Sequence, residues 1–148
     1  MNTTQKEKGK QALRIFLSYA VAEREYGHKL RRLLSQRPNL QIFTPESLSA
    51  GENWESKLKD EISQCDIFVV LLSQNSVNSE WVLCELGAAW ALNKLIILVI
   101  THPDVVSKIP LDLRRVQSVE IKYLESHPEV IKQILERYEE VATSHNSG

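Results

Sequence analysis

Glu85 stands four residues after Trp81 in the stretch S-E-W-V-L-C-E-L. Wound as a helix, this spacing puts the carboxylate and the indole one turn apart, close enough to meet across the helix surface. Upstream, the apolar run D-I-F-V-V-L-L ends at Ser73 and gives way to a polar turn, Q-N-S-V-N-S. A run of this kind followed by an amphipathic helix reads as a strand and its crossover, and in an open parallel sheet such junctions bind ligands. A second run, R-I-F-L-S-Y, ends likewise in Ser18 and Tyr19. A carboxylate beside an indole at the mouth of a sheet is a candidate site. The plainer alternative is a solvated glutamate on a helix flank, with Val82, Leu83, Leu86, Ala89 and Trp90 forming the apolar face.

Several chemistries are excluded by what the sequence lacks. A phosphate-accepting receiver needs acidic residues at the end of its first strand to hold Mg²⁺, and here that end is Phe16-Leu17-Ser18-Tyr19. No G-x-G-x-x-G follows a strand, and there is no G-K-[ST] or G-x-S-x-G. His28, His102, His127 and His145 have no ligand-like spacing, and Cys65 and Cys84 form neither a metal pattern nor a disulfide framework. Both cysteines lie near apolar runs and are expected as buried or half-buried free thiols. No metal site, no bound cofactor and no hydrolase triad is expected.

The elements that must position Glu85 follow in order. Residues 1–11 are polar and expected as an arm. Strands are expected over 13–18, 40–43, 66–72, 94–100 and, with the alternation of an edge strand, 116–123. Helices are expected over about 20–37, from 53 onward with Trp54, Leu58 and Ile62 at helical spacing, over 77–92, and from Pro128 to about 141. The segment 44–51 is a loop by its Pro, Ser and Gly content. An irregular connection with one short helical turn is expected between the fourth and fifth strands. This alternation calls for an α/β fold, a flavodoxin-like doubly wound five-stranded parallel sheet of order 2-1-3-4-5 with helices on both faces. Its switch point lies beyond Ser18 and Ser73. The domain is expected over 12–143, with a short tail over 144–148.

The 148 residues are 43% hydrophobic and 25% charged, the composition of an ordinary globular domain. A formal net charge of -1 provides no broad attraction to nucleic acid or to an anionic membrane, so neither is expected as a partner. The cluster His28, Lys29, Arg31, Arg32 reads as a solvated helix face. The start has no apolar h-region, and the run L-I-I-L-V-I is too short to span a bilayer. A cytosolic, cytoplasmic location is the expectation.

Four stretches together resemble a Toll/interleukin-1 receptor (TIR) domain. R-I-F-L-S-Y looks like the family's first box, and the 44–51 loop with L-S-A-G resembles its Leu-x-x-Gly loop. C-D-I-F-V-V-L-L-S-Q-N-S looks like the third strand and its exit. S-E-W-V-L-C-E-L is similar to the Ser-x-Trp-x-x-x-Glu-Leu signature of plant and bacterial members. The Phe-Trp box and the Arg-Asp-x-x-Pro-Gly loop of animal adaptors are missing.

The resemblance implies cleavage of NAD+ at the nicotinamide–ribose bond, giving nicotinamide and ADP-ribose or a cyclic isomer, in immune or anti-phage defence, with NAD+ as substrate. It also implies activation by self-association with other TIR domains as a homo-oligomer. The family's catalytic glutamate maps onto Glu85. Departure of the cationic nicotinamide needs no general acid and builds an oxocarbenium-like ribose that a carboxylate can stabilise. Trp81, Tyr19 and Trp54 are the aromatic candidates to wall the substrate. The nucleotide-contacting pair falls at Ala20 and Val21, where animal members often carry a basic residue, and the loop contact falls near Ser49. Plainer roles exist for each: Trp54 as a core staple above Leu58 and Ile62, Tyr19 as a cap on the sheet end, Ser18 and Ser73 as partners of strand-end amides, and Trp90 as core. Two functional alternatives remain at this point, a non-catalytic TIR–TIR interaction (adaptor) module and a nucleotide receptor that does not turn its ligand over.

Overall fold

The computed structural model describes residues 12–48, 51, 53–109 and 116–147. Five strands, β1 (Leu13–Ser18), β2 (Leu40–Phe43), β3 (Ile67–Leu72), β4 (Leu95–Ile100) and β5 (Gln117–Glu120), pair in parallel in the order β2-β1-β3-β4-β5. The helices are α1 (Arg24–Leu34), α2 (Trp54–Gln64), α3 (Glu80–Ala91), α4 (Ile121–Ser126) and α5 (Glu129–Ser147). This is the doubly wound flavodoxin-like order expected from the alternation of elements. Every residue of β3 is buried, as a strand with helices on both faces requires.

The two-residue period of the strands sorts the core into two layers. Phe16, Phe68, Val70, Leu72, Leu98 and Ile100 face Leu58 and Ile62 of α2 and Val82, Leu86 and Ala89 of α3. Ile15, Leu17, Val69, Leu71, Ile97 and Val99 face Leu30 and Leu34 of α1, Leu124 of α4, and Ile131 and Leu135 of α5. Because β1 lies between β2 and β3, a crevice opens at the carboxyl ends of β1 and β3, where the connections diverge to opposite faces.

Boundaries differ in places for local reasons. The helix expected from residue 20 begins with a 3-10 turn, Val21–Glu23, and α1 stops at Leu34. The Ser35 hydroxyl donates to the Arg31 carbonyl there, and Asn39 takes a left-handed φ of 63° before β2. β5 is an edge strand as expected, bonded among the strands only to β4, but it ends at Glu120. The next residues coil into α4, because Ile121 and Leu124, three apart, share one buried helical face. The short turn between β4 and β5 is the 3-10 segment Pro103–Lys108, and α5 continues to Ser147 rather than ending near 141. The arm expected over 1–11 lies outside the described residues. Among the described residues no helix is long and apolar enough to cross a membrane.

α3 carries the largest correction. Its buried stripe is Val82, Glu85, Leu86 and Ala89, an i, i+3, i+4, i+7 pattern. Relative to the face read from the sequence, the stripe is turned by about 50° at 100° per residue. Trp90, expected in the core, is 49% exposed, and Glu85, expected on a solvated flank, is 4% exposed. Cys84 is exposed rather than buried, whereas Cys65 is buried as expected. The cause is weak amphipathicity: Trp81, Val82, Leu83, Leu86, Ala88, Ala89 and Trp90 wrap most of the way round the helix, so periodicity alone leaves its rotation open.

Candidate active site

The alternation of β1, carried one residue past its end, sends the side chains of Ser18 and Tyr19 in opposite directions. Ser18, in phase with Phe16, points to the α3 layer, and Tyr19 joins the α1 layer. Ser79 caps α3 by accepting from the Val82 amide at 3.4 Å. Asn93, at a φ of 57°, ends the helix, with Lys94 N–H bonded to the Ala89 carbonyl and Asn93 N–H to the Trp90 carbonyl. Fixed at both ends, α3 presents Glu85 to the end of β1.

There the Ser18 hydroxyl donates to Glu85 Oε1 at 2.7 Å, and Oε2, also buried, has no hydrogen-bond partner. Burial pushes the Glu85 carboxyl up to about 7, with the Ser18 bond acting in the opposite direction. A buried polar atom without a partner is costly in a fold and calls for a reason. At the end of the neighbouring strand, the Ser73 hydroxyl donates to Glu23 Oε1 at 2.7 Å and accepts from the Ser76 amide at 3.0 Å. Of the two serines read as partners of strand-end amides, Ser73 accepts instead from an amide of the following turn, while Ser18 gives its hydroxyl to the carboxylate.

Beside this pair lies a cavity of about 530 Å³, lined by Tyr19, Ala20, Val21, Pro45, Glu46, Leu48, Trp54, Ser79 and Trp81. Five of the residues singled out in the sequence are thereby brought together from three segments of the chain: Tyr19, Ala20, Val21, Trp54 and Trp81. Ser49 lies outside the described residues. Glu85 is not in the cavity wall; it lies behind, reached through Ser18, the chain neighbour of Tyr19, and through Trp81, one turn earlier on α3.

The indoles of Trp54 and Trp81 meet at 5.3 Å with planes tilted 49°, a favourable aromatic geometry. They remain 51% and 40% exposed, so Trp54 is not a core staple. Tyr19 is buried against α1. Its phenol is held above the usual range, by burial first and then by the Glu46 carboxylate with which its hydroxyl interacts. The sequence reading missed Glu46, Pro45, Leu48 and Ser79. Glu46 was within reach, since it is the one acidic residue of the 44–51 loop already assigned to the site.

A family model described as TIR domain matches residues 15–135. Among solved structures, the chain is similar to a metazoan TIR-STING receptor from C. gigas, at 19% identity and a TM-score of 0.63, over 79% of this chain and 39% of that one. It is similar to a CMP N-glycosidase, BcmB, from Clostridium botulinum, at 22% identity and a TM-score of 0.53, over 76% and 96% of the two chains. It is also similar to the TIR domains of the activated Roq1 resistosome directly recognizing the pathogen effector XopQ, at 22% identity and a TM-score of 0.55, over 90% and 82%. At these identities the likeness speaks for the fold. No curated protein matches the sequence significantly.

Proposed function

The chain belongs to the TIR domain family, and from that premise we propose that it is an NAD+ nucleosidase whose catalytic residue is Glu85. The observation that carries the proposal is a buried carboxylate at the switch point, with one oxygen held by Ser18 and the other without a partner, behind a cleft walled by Tyr19, Trp54 and Trp81. A group in this state is costly to the fold and suited to a reaction that develops positive charge beside it.

In the proposed step the bond between ribose C1′ and the nicotinamide nitrogen breaks. Its electron pair stays with the ring, which leaves as neutral nicotinamide. The positive charge passes to the ribose C1′–O4′ unit, where the Glu85 carboxylate stabilises it or holds the ribose hydroxyls through Oε2. Water then adds to C1′ and loses a proton to give ADP-ribose; attack by an atom of the same ADP-ribosyl unit gives a cyclic isomer. The indoles of Trp81 and Trp54 stack on the flat cationic ring. Ala20 and Val21 supply only backbone and small apolar contacts. One fold neighbour is named an N-glycosidase, of CMP, which is the same class of bond, although at 22% identity that likeness speaks only for the fold.

The wider proposal is a domain over 12–143 that acts in cytoplasmic immune or anti-phage defence signalling and is switched on by self-association. The cleft is open and its two tryptophans are half exposed, so a neighbouring copy would be needed to exclude water from it. The absence of Glu85 from the cavity wall favours a second reading, a TIR–TIR interaction module without turnover. Incubation with NAD+ and chromatography of the products separates the two. Release of nicotinamide by the parent protein and its loss in Glu85→Gln are the expected results; unchanged turnover in that variant would remove Glu85 from the mechanism.

A further inference from the structure

The rim of the cavity holds a charged cluster that the proposed chemistry does not use. Glu46 belongs to the 3-10 turn Pro45–Ser47 after β2 and lines the cavity. Its Oε1 accepts from Arg24 Nε at 3.2 Å, and its Oε2 meets His28 Nε2 at 3.3 Å. Arg24 and His28 are four residues apart on α1, so one helix face presents both. The Tyr19 hydroxyl interacts with the same carboxylate. Burial would raise the Glu46 carboxyl, but His28, Tyr19 and Arg24 together outweigh it and hold it below its ordinary value. Two oxygens engaged by three donors keep little capacity for a ligand hydroxyl. This carboxylate is an anchor.

What it anchors is the Tyr19 ring. At Gly27 of α1, an added Cβ would stand 2.7 Å from Cγ, Cδ1 and Cε1 of that ring, a distance no real side chain tolerates. The absent side chain at Gly27 is what lets the ring lie directly on the helix. His28 meets the same ring edge-on at 6.4 Å. Tyr19 is therefore held by α1 along its face and by Glu46, together with the buried Thr44 side chain, at its tip, while the same carboxylate ties the rim turn to α1.

We propose that Glu46 is a positioning residue: it fixes the Tyr19 ring and the 45–47 turn as one rigid wall of the cavity, and so sets how tightly a flat-ringed dinucleotide is held rather than how fast its glycosidic bond breaks. This rests on the reading of the cavity as the NAD+ site. Surface ion pairs contribute little to stability, so removing Glu46 leaves the fold intact and its effect on the site readable.

The experiment compares Glu46→Gln, Tyr19→Phe and the double variant with the parent protein. For each single variant KM for NAD+ rises roughly tenfold, as for one lost placement contact, with kcat within about twofold. The double variant is no worse than Tyr19→Phe, because the loss of the hydroxyl already breaks the tie to Glu46 along with the contact to Thr44. Glu46→Asp recovers part of the affinity. Hydrogen exchange of the amides of residues 46–48 speeds up in Glu46→Gln, while exchange in β3 and α3 does not change. A fall in kcat at unchanged KM, multiplicative effects in the double variant, or unchanged exchange at the rim would each overturn the proposal. If the parent neither binds nor cleaves NAD+, the reading of the cavity fails, and the exchange comparison still decides whether Glu46 holds the rim.

Discussion

Replacing Glu85 by Gln keeps the shape of the side chain and removes its titration, which makes its burial measurable. In the folded protein burial raises the carboxyl from an ordinary 4.5 to about 7. Below pH 4.5 the group is protonated in both the folded and the unfolded chain, and its favourable contribution is fully present. Between 4.5 and 7 the unfolded chain releases a proton that the folded one keeps, so stability falls as pH rises, and above 7 the contribution is lost. At about 1.4 kcal/mol per pH unit, the gap amounts to about 3 kcal/mol. The Gln variant lacks that slope, although its amide nitrogen, placed where Oε2 has no partner, costs about 1–3 kcal/mol at every pH. The assay is a set of urea titrations of parent and variant from pH 4.5 to 8.5, compared by difference so that shared titrations cancel. The stability of the variant relative to the parent should climb by about 3 kcal/mol across that window. A difference constant to within about 0.5 kcal/mol would show a solvated Glu85, as expected of an ordinary surface position.

The remaining expectations are simpler. Leu86→Ala, at a fully buried position, should destabilise by about 2–5 kcal/mol in the same titrations, and an unchanged midpoint would refute the assigned rotation of α3. Trp81→Ala should cut NAD+ cleavage more than it shifts the melting temperature, with Trp81→Phe retaining part of the activity; if both match the parent, the indole contributes no stacking. If the ionised carboxylate is the working form, kcat/KM should fall on the acid side of pH 7 as Glu85 takes up its proton, and a flat profile from pH 5.5 to 8 would contradict that role. Specific activity should rise with protein concentration if a second copy closes the cleft; constant specific activity down to concentrations where sedimentation shows only monomer would eliminate the shared pocket.

Much of the scaffold was legible because the strands obey simple rules. An unbroken apolar run at β3, an alternating one at β5, and crossovers long enough for helices leave few topologies open, and the order of the sheet follows. What was not legible was rotation about a helix axis. Val82 and Ala89 bracket Glu85 at i−3 and i+4, so the sequence contained the signal for burial, but Leu83 and Trp90 offered an equally apolar face and a glutamate argued against choosing the other. The glycine at position 27 was silent as well, since only the approach of Tyr19 gives it meaning. The node at Glu46 joins α1 to the loop after β2 across 22 and 18 residues of sequence, a juxtaposition that neither periodicity nor local spacing encodes.

The misjudged rotation and the proposed chemistry have the same physical origin. A carboxylate on a solvated flank would have its charge screened by water and would do little for a cationic transition state. The same group sealed beside Ser18 disfavours its own ionisation, which is why its carboxyl is raised. Any cation brought close relieves part of that penalty, and by linkage the ligand gains what the carboxylate gains. NAD+ carries its positive charge on the nicotinamide ring, and that charge passes to the ribose as the bond breaks, so on the proposed reading the relief is greatest in the transition state. Near pH 7, binding should therefore be accompanied by release of a proton from Glu85, in a fraction that passes through a maximum somewhat below pH 7 and falls away on either side. Titration of NAD+ into the parent protein in weakly buffered solution would register that proton, and the Glu85→Gln variant would bind without it. Equal proton release by both proteins would place the titrating group elsewhere and detach the raised carboxyl from the binding of the substrate.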